Sequence, residues 1–134
     1  MSVVLDTNAL IWLLERNVRI GQRAVEQVDE ALRTSRVMMS AASVWEVAVL
    51  VSKNRISIDK PLDQWRIDAL QLGIEEVPLD GEVAIEAVAL AGLHPDPADR
   101  FIVATALRMK ATLVTSDARL LAWKGLLACI DARV

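Results

Sequence analysis

Four carboxylates, Asp6, Glu46, Asp99 and Asp117, lie far apart along a chain of 134 residues. Each stands where a parallel α/β fold would bring it to one edge of the sheet, the edge at which such folds bind ligands. Asp6 ends the apolar run Val3-Val4-Leu5 and precedes Thr7-Asn8, small polar residues suited to capping a helix over Ala9–Leu14. Asp117 repeats the arrangement: Ala111-Thr112-Leu113-Val114 reads as a strand and Thr115-Ser116-Asp117 as the polar turn opening another helix. Carboxylates brought together repel one another unless they are protonated or neutralised by cations. An all-oxygen donor set favours Mg²⁺ or Mn²⁺. A site of that kind suits phosphodiester hydrolysis, because the ion can polarise the phosphate, acidify a water and stabilise the leaving oxygen.

Each acid also has an ordinary structural reading. Asp6 and Asp117 fit turns or caps, and Glu46 has the Ser-x-x-Glu spacing of a capping box with Ser43. Asp99 falls in the first turn of a helix expected from about Ala98 to Met109, where the dipole favours negative charge by typically about 0.3–1 kcal/mol. Taken singly these readings are favoured; the joint placement of four acids on four elements reverses the preference. The only histidine, His94, speaks against zinc sites built from several His or Cys and against Ser-His-Asp or Cys-His catalysis. Standing just before Pro95, it reads as a loop residue, with substrate contact as the lesser alternative. Cys129, the single cysteine, has no disulfide partner and reads as a small buried hydrophobe.

The elements that would position the acids alternate along the whole chain, with no internal repeat or separating linker, which is α/β patterning. Residues 21–35 carry an apolar stripe at Ala24, Val25, Val28, Ala31 and Leu32, and Val37-Met38-Met39 reads as a short buried strand. Ser40–Ser43 offers cap chemistry for a helix over Val44–Val51. Pro61 suits the start and Gly73 the end of a helix through Trp65 and Ala69, followed by strand character over Ile74–Leu79. A helix is expected over Glu82–Ala91, a break at residues 92–97, and a last strand over Leu126–Ile130. Trp12, Trp45, Trp65 and Trp123 are dispersed among helices, so packing is favoured over base stacking; Trp45, beside Glu46, is the one placed to line the mouth of the site.

Length and a hydrophobic content of 54% suit one domain over residues 1–134. No basic segment precedes an apolar run, and no stretch approaches the roughly 18 apolar residues of a membrane span, so a soluble cytoplasmic protein is the expectation. The net charge of −3 argues against a sequence-independent basic nucleic-acid binder, yet it averages an acidic pocket with any basic rim and leaves a nuclease open. Lys53-Asn54-Arg55 is such a basic group, readable as an RNA guide or as a solvated helix end.

Over nearly its whole length the chain resembles the PIN-domain ribonucleases, and among them the VapC toxins of type II toxin–antitoxin pairs. The resemblance is carried by residues 5–14 (LDTNALIWLL), 43–48 (SVWEVA), 96–106 (DPADRFIVATA) and 113–117 (LVTSD). It implies a three-layer α/β/α sandwich with a central parallel sheet and a Mg²⁺- or Mn²⁺-dependent endoribonuclease site. Carried over position by position, it assigns Asp6 and Asp99 as principal metal ligands, with Glu46 and Asp117 completing the pocket directly or through water. Thr115 and Ser116 are implied as supports for the ligands; Thr7 and Asn8 can orient Asp6 or cap the helix, and Asn8 stands where relatives often carry His. Asp99 is taken as the catalytic acid and Asp96 as shaping the helix entry. Arg100 is expected to pair with a nearby acid or, less ordinarily, to contact phosphate. The resemblance also implies an RNA substrate, a homodimer, and a cognate VapB-type antitoxin that blocks the acidic pocket with a basic residue.

Two other functions compete. A receiver-type signalling module shares the parallel fold and an acidic Mg²⁺ pocket, but the paired opening acids are absent and Lys110 precedes its strand instead of following one. A haloacid-dehalogenase-like phosphatase wants a second Asp two residues after the first, where this chain has Asn8. A catalytically silent PIN-like scaffold is the remaining alternative, against which the presence of all four acids counts.

Overall fold

The computed structural model describes residues 1–134. In chain order the elements are β1 (Val3–Leu5), α1 (Thr7–Leu14), α2 (Gln22–Thr34), β2 (Val37–Ser40), α3 (Ala41–Ser52), α4 (Leu62–Gln71), β3 (Ile74–Val77), α5 (Gly81–Val88), α6 (Pro97–Arg108), β4 (Thr112–Thr115), α7 (Ala118–Ala122) and β5 (Cys129–Asp131). The five strands form one sheet in the order β3-β2-β1-β4-β5, every pairing parallel. The short apolar strands Val3-Val4-Leu5 and Val37-Met38-Met39 are fully buried, as parallel strands covered on both faces must be.

Side chains alternate between two cores. Val3, Leu5, Val37, Met39 and Val114 face a cluster with Leu10 of α1, Val28 of α2, Val47 of α3 and Trp65 of α4. Val4, Met38 and Leu113 face the other, with Val83 of α5, Ile102 and Val103 of α6 and Leu120 of α7. The result is the expected three-layer α/β/α sandwich with a central parallel sheet. No helix is long and apolar enough to cross a membrane.

The strand order matters for the site. From β1 the chain moves to β2 and β3 on one side and later returns to β4 and β5 on the other, so the connections leaving β1 and β4 diverge to opposite faces. Between the carboxyl ends of such strands a crevice opens, the usual ligand position in an open α/β sheet. Asp6 follows β1 and Asp117 follows β4 by two residues.

Several boundaries differ from the sequence reading. Helix α3 begins at Ala41, three residues before the expected Val44, because Ser40 at the end of β2 caps it by accepting a hydrogen bond from the Ala42 N–H at 3.0 Å. Ser43 and Glu46 therefore stand inside a helix already begun and form no capping box. Thr7 and Asn8 likewise lie within α1, and the cap is Asp6 itself, whose Oδ1 accepts from the Thr7 N–H at 2.8 Å. The last strand runs over Cys129–Asp131, against the expected Leu126–Ile130; Leu126 is almost fully exposed. Cys129 is only half-buried, and burial pushes its thiol up, away from the reactive thiolate.

Candidate metal centre

Asp6, Glu46, Asp99 and Asp117 line one cleft of about 220 Å³ at the crevice between β1 and β4, together with Thr7, Asn8, Leu50, Asp96 and Arg119. Four segments thus converge as the spacing suggested. Asp6 is placed by β1 and the start of α1, Glu46 by the second turn of α3, Asp99 by the first turn of α6, and Asp117 as N-cap of α7. Asp6 and Asp99 are buried, whereas Glu46 and Asp117 are half-buried toward the opening.

A lattice of hydrogen bonds fixes these acids. Thr115 donates its hydroxyl to Asp6 Oδ2 at 2.6 Å and accepts the Asp117 N–H at 3.0 Å, so one side chain joins two of the acids. Thr7 donates to Glu46 Oε1 at 2.5 Å and lies 3.1 Å from Ser43 Oγ. Thr7 and Thr115 therefore support the cleft. Ser116, half-buried, makes no hydrogen bond to an acid, and Asn8 lines the cleft from an exposed position. Asp96 shapes the helix entry as expected: it caps α6, accepting the Asp99 N–H at 3.2 Å.

Two residues have partners the sequence did not reveal. His94 Nε2 lies 2.7 Å from Asp99 Oδ2, close enough for the ring N–H to donate to the carboxylate. His94 stands in a loop as expected, and that loop brings its ring against Asp99. Arg100 pairs with no acid; its guanidinium donates to four backbone carbonyls, those of Ala87, Leu90, Leu93 and His94. It thereby clamps the α5–α6 connection and holds His94 against Asp99. Trp45 is 62% exposed and lies outside the acidic cleft, lining instead an adjoining apolar groove with Leu79, Pro97 and Phe101. Trp65 is buried, and Trp12 and Trp123 pack partly against the two cores. Lys53, Asn54 and Arg55 form an exposed helix end beyond the last turn of α3.

The electrostatics are those of an acid cluster short of positive charge. Burial pushes the Asp6 carboxyl up to about 6; hydrogen bonds from Thr115 and Thr7 oppose the shift, and the charges of Asp99 and Asp117 add to it. Glu46 is raised by burial, against its Thr7 bond and with help from Asp99 and Asp6. Asp99 is raised by burial, against the His94 bond, with Asp96 and Asp117 adding. Burial pushes Asp117 up too, but the side-chain and backbone bonds from Arg119 outweigh it and leave the carboxyl below its ordinary value.

A divalent ion fits this donor set. Carboxylate oxygens are the hard ligands that Mg²⁺ and Mn²⁺ prefer, and a cation would relieve the unfavourable ionisation of three of the four acids. One donor atom each from His94, Asp99 and Asp117 already lies within 4.8 Å of the others.

Known proteins are similar to this chain in sequence or in fold. It is 33% identical over 120 residues to Ribonuclease VapC22 of Mycobacterium tuberculosis, covering 89% of each chain. Its fold is that of a chain in the VapBC2 complex of Rickettsia felis bound to a promoter DNA fragment (TM-score 0.72, 19% identity, 97% and 98% of the two chains covered). A toxin–antitoxin complex from Klebsiella pneumoniae (0.66, 24%, 97% of each) and DNA-bound VapBC of Salmonella typhimurium (0.70, 19%, 98% of each) have it as well. Residues 3–125 match the PIN domain, so the chain belongs to the PIN-domain family.

Proposed function

We propose that residues 1–134 form one PIN-like nuclease domain that hydrolyses RNA phosphodiester bonds with Mg²⁺ or Mn²⁺. In this reading it is a cytoplasmic, homodimeric VapC-type toxin neutralised by a VapB-type antitoxin. The observation that carries the nuclease reading is the convergence of Asp6, Glu46, Asp99 and Asp117 on one cleft, in a chain of the PIN family. The toxin reading is supported by the relative named Ribonuclease VapC22 and by the toxin–antitoxin complexes that share the fold.

Asp6 and Asp99 would hold the ion, with Glu46 and Asp117 completing the pocket. When bound, the ion supplies polarisation of the phosphate and a more acidic water. The chain's own residues do the rest. Thr115 and the Thr7 N–H fix both oxygens of Asp6, and His94 fixes one oxygen of Asp99, so neither acid has to reorganise as substrate arrives. Thr7 occupies Glu46 Oε1, and Oε2, without a hydrogen bond, would be free to accept a proton from the attacking water. Burial raises Glu46 and so makes it a better base.

Incubating the antitoxin-free protein with end-labelled total RNA tests the reading. Discrete fragments with Mg²⁺ or Mn²⁺, absent with EDTA, are expected; intact RNA under every metal condition, from protein that is folded and binds metal, would favour a silent scaffold.

A further inference from the structure

Arg119, on the short helix α7, spans two of the four acids. Its Nη2 lies 3.0 Å from Asp117 Oδ2, its Nε 3.3 Å from Asp117 Oδ1, and the same Nη2 comes within 3.6 Å of Asp99 Oδ2. The helix does not need this side chain. Its start is capped by Asp117 Oδ1 accepting the backbone N–H of residue 119 at 2.8 Å, a bond available to any residue there except proline. Nor does it belong to either hydrophobic core, and its side chain is 60% exposed. What the guanidinium does is neutralise the most open part of the acid cluster. A divalent ion held by Asp99 and Asp117 would take the same oxygens.

We propose that Arg119 is a displaceable counter-ion of the cleft. It bridges Asp99 and Asp117 while no metal is present, and a divalent cation takes over those oxygens and drives the guanidinium out toward solvent. The inference rests on the metal-site reading above. It makes ion affinity a property of Arg119 as well as of the acids, because each binding event must break the pair. Removing the side chain abolishes that competition, and Lys, a compact ammonium without the two-pronged fork, competes less well. An exposed pair of this kind corresponds to about 1.5- to fivefold in affinity.

Two readouts on the ¹⁵N-labelled full chain test it, with Mg²⁺ as the probe. The first is the Arg119 Nε–H NMR signal, assigned by its loss in Arg119→Gln. The second is Mg²⁺ affinity by calorimetry for the unsubstituted chain, Arg119→Gln and Arg119→Lys. The signal is expected to move toward that of a solvent-exposed arginine in step with ion occupancy. Arg119→Gln is expected to bind Mg²⁺ about 1.5- to fivefold more tightly, with Arg119→Lys between. A signal that stays in place through saturation overturns the proposal, because tighter binding would then reflect charge removal alone; equal affinities overturn it too. If no variant binds Mg²⁺, the metal-site reading itself fails. If the unsubstituted chain binds Mg²⁺ with Arg119 unmoved, only the displacement fails.

Discussion

Asp6 carries opposing demands that can be measured separately. It is buried, caps α1 and accepts from Thr115, yet its carboxyl is pushed up to about 6 by burial. A raised carboxyl favours the protonated form in the folded state, so its penalty is absent below about pH 4 and complete above about pH 6. A shift from 3.8 to about 6 corresponds to about 3 kcal/mol. Asp6→Asn is therefore expected to stabilise the EDTA-treated protein by about 1–3 kcal/mol at pH 7 in urea unfolding, with the gain fading toward pH 4. A loss of stability at pH 7 would show that the carboxylate is held more favourably than its burial implies. Asp6, Asp99 and Asp117 were legible in the sequence because their identities and their places beside strands and helix starts are local facts, whereas Glu46 was legible by type but not by its place, which is the second turn of α3. His94 was not, because its approach to Asp99 depends on the path of residues 89–96, which Arg100 sets through carbonyls that no side-chain pattern announces.

The elements show where local signals mislead. Ser43-x-x-Glu46 has the spacing of a capping box, but β2 ends at Ser40 and the helix begins there, leaving Ser43 and Glu46 free to meet Thr7 from α1. Cap chemistry at residues 40–43 was legible; which serine performs it depended on where the strand stopped. Ser40→Ala should consequently cost about 1 kcal/mol in urea unfolding, the usual price of a lost N-cap. A neutral substitution would mean that α3 is held by packing alone. The α5–α6 connection offers a larger effect. Arg100→Ala leaves four carbonyls without their charged donor, and a loss of about 2–4 kcal/mol is expected. A change below about 0.5 kcal/mol, as at an ordinary surface site, would contradict the clamp.

At the level of the whole molecule, fold class was legible from the alternation of elements, whereas strand order was not, because sequence periodicity records which faces are buried and not which strand lies beside which. The order β3-β2-β1-β4-β5 sets Asp6 and Asp117 on either side of one crevice and gathers charge there. That gathering predicts a pH dependence. Asp6, Glu46 and Asp99 all have raised carboxyls, so the metal-free protein should lose stability as pH rises above the ordinary carboxylate range, with the share of Asp6 complete above about pH 6. Asp117, held low after Arg119 outweighs its burial, acts in the opposite sense and softens the fall. Mg²⁺ at about 100 times its dissociation constant should restore about 2.7 kcal/mol at pH 7, seen as a rise in thermal midpoint that EDTA reverses. A flat pH profile with no response to the ion would argue against a metal-binding cleft.

The decisive comparison is the rate of RNA cleavage at saturating Mn²⁺ for the unsubstituted chain, Asp6→Asn, Asp99→Asn and Asp96→Asn. Loss of a proposed metal ligand is expected to lower the rate by about 100-fold or more in the first two variants, as removal of one preorganised charge-stabilising group does. Asp96→Asn, which keeps an oxygen able to cap α6, should stay within a few-fold of the unsubstituted chain. Equal rates in all four proteins would contradict the assignment of this carboxylate cleft as the site of hydrolysis.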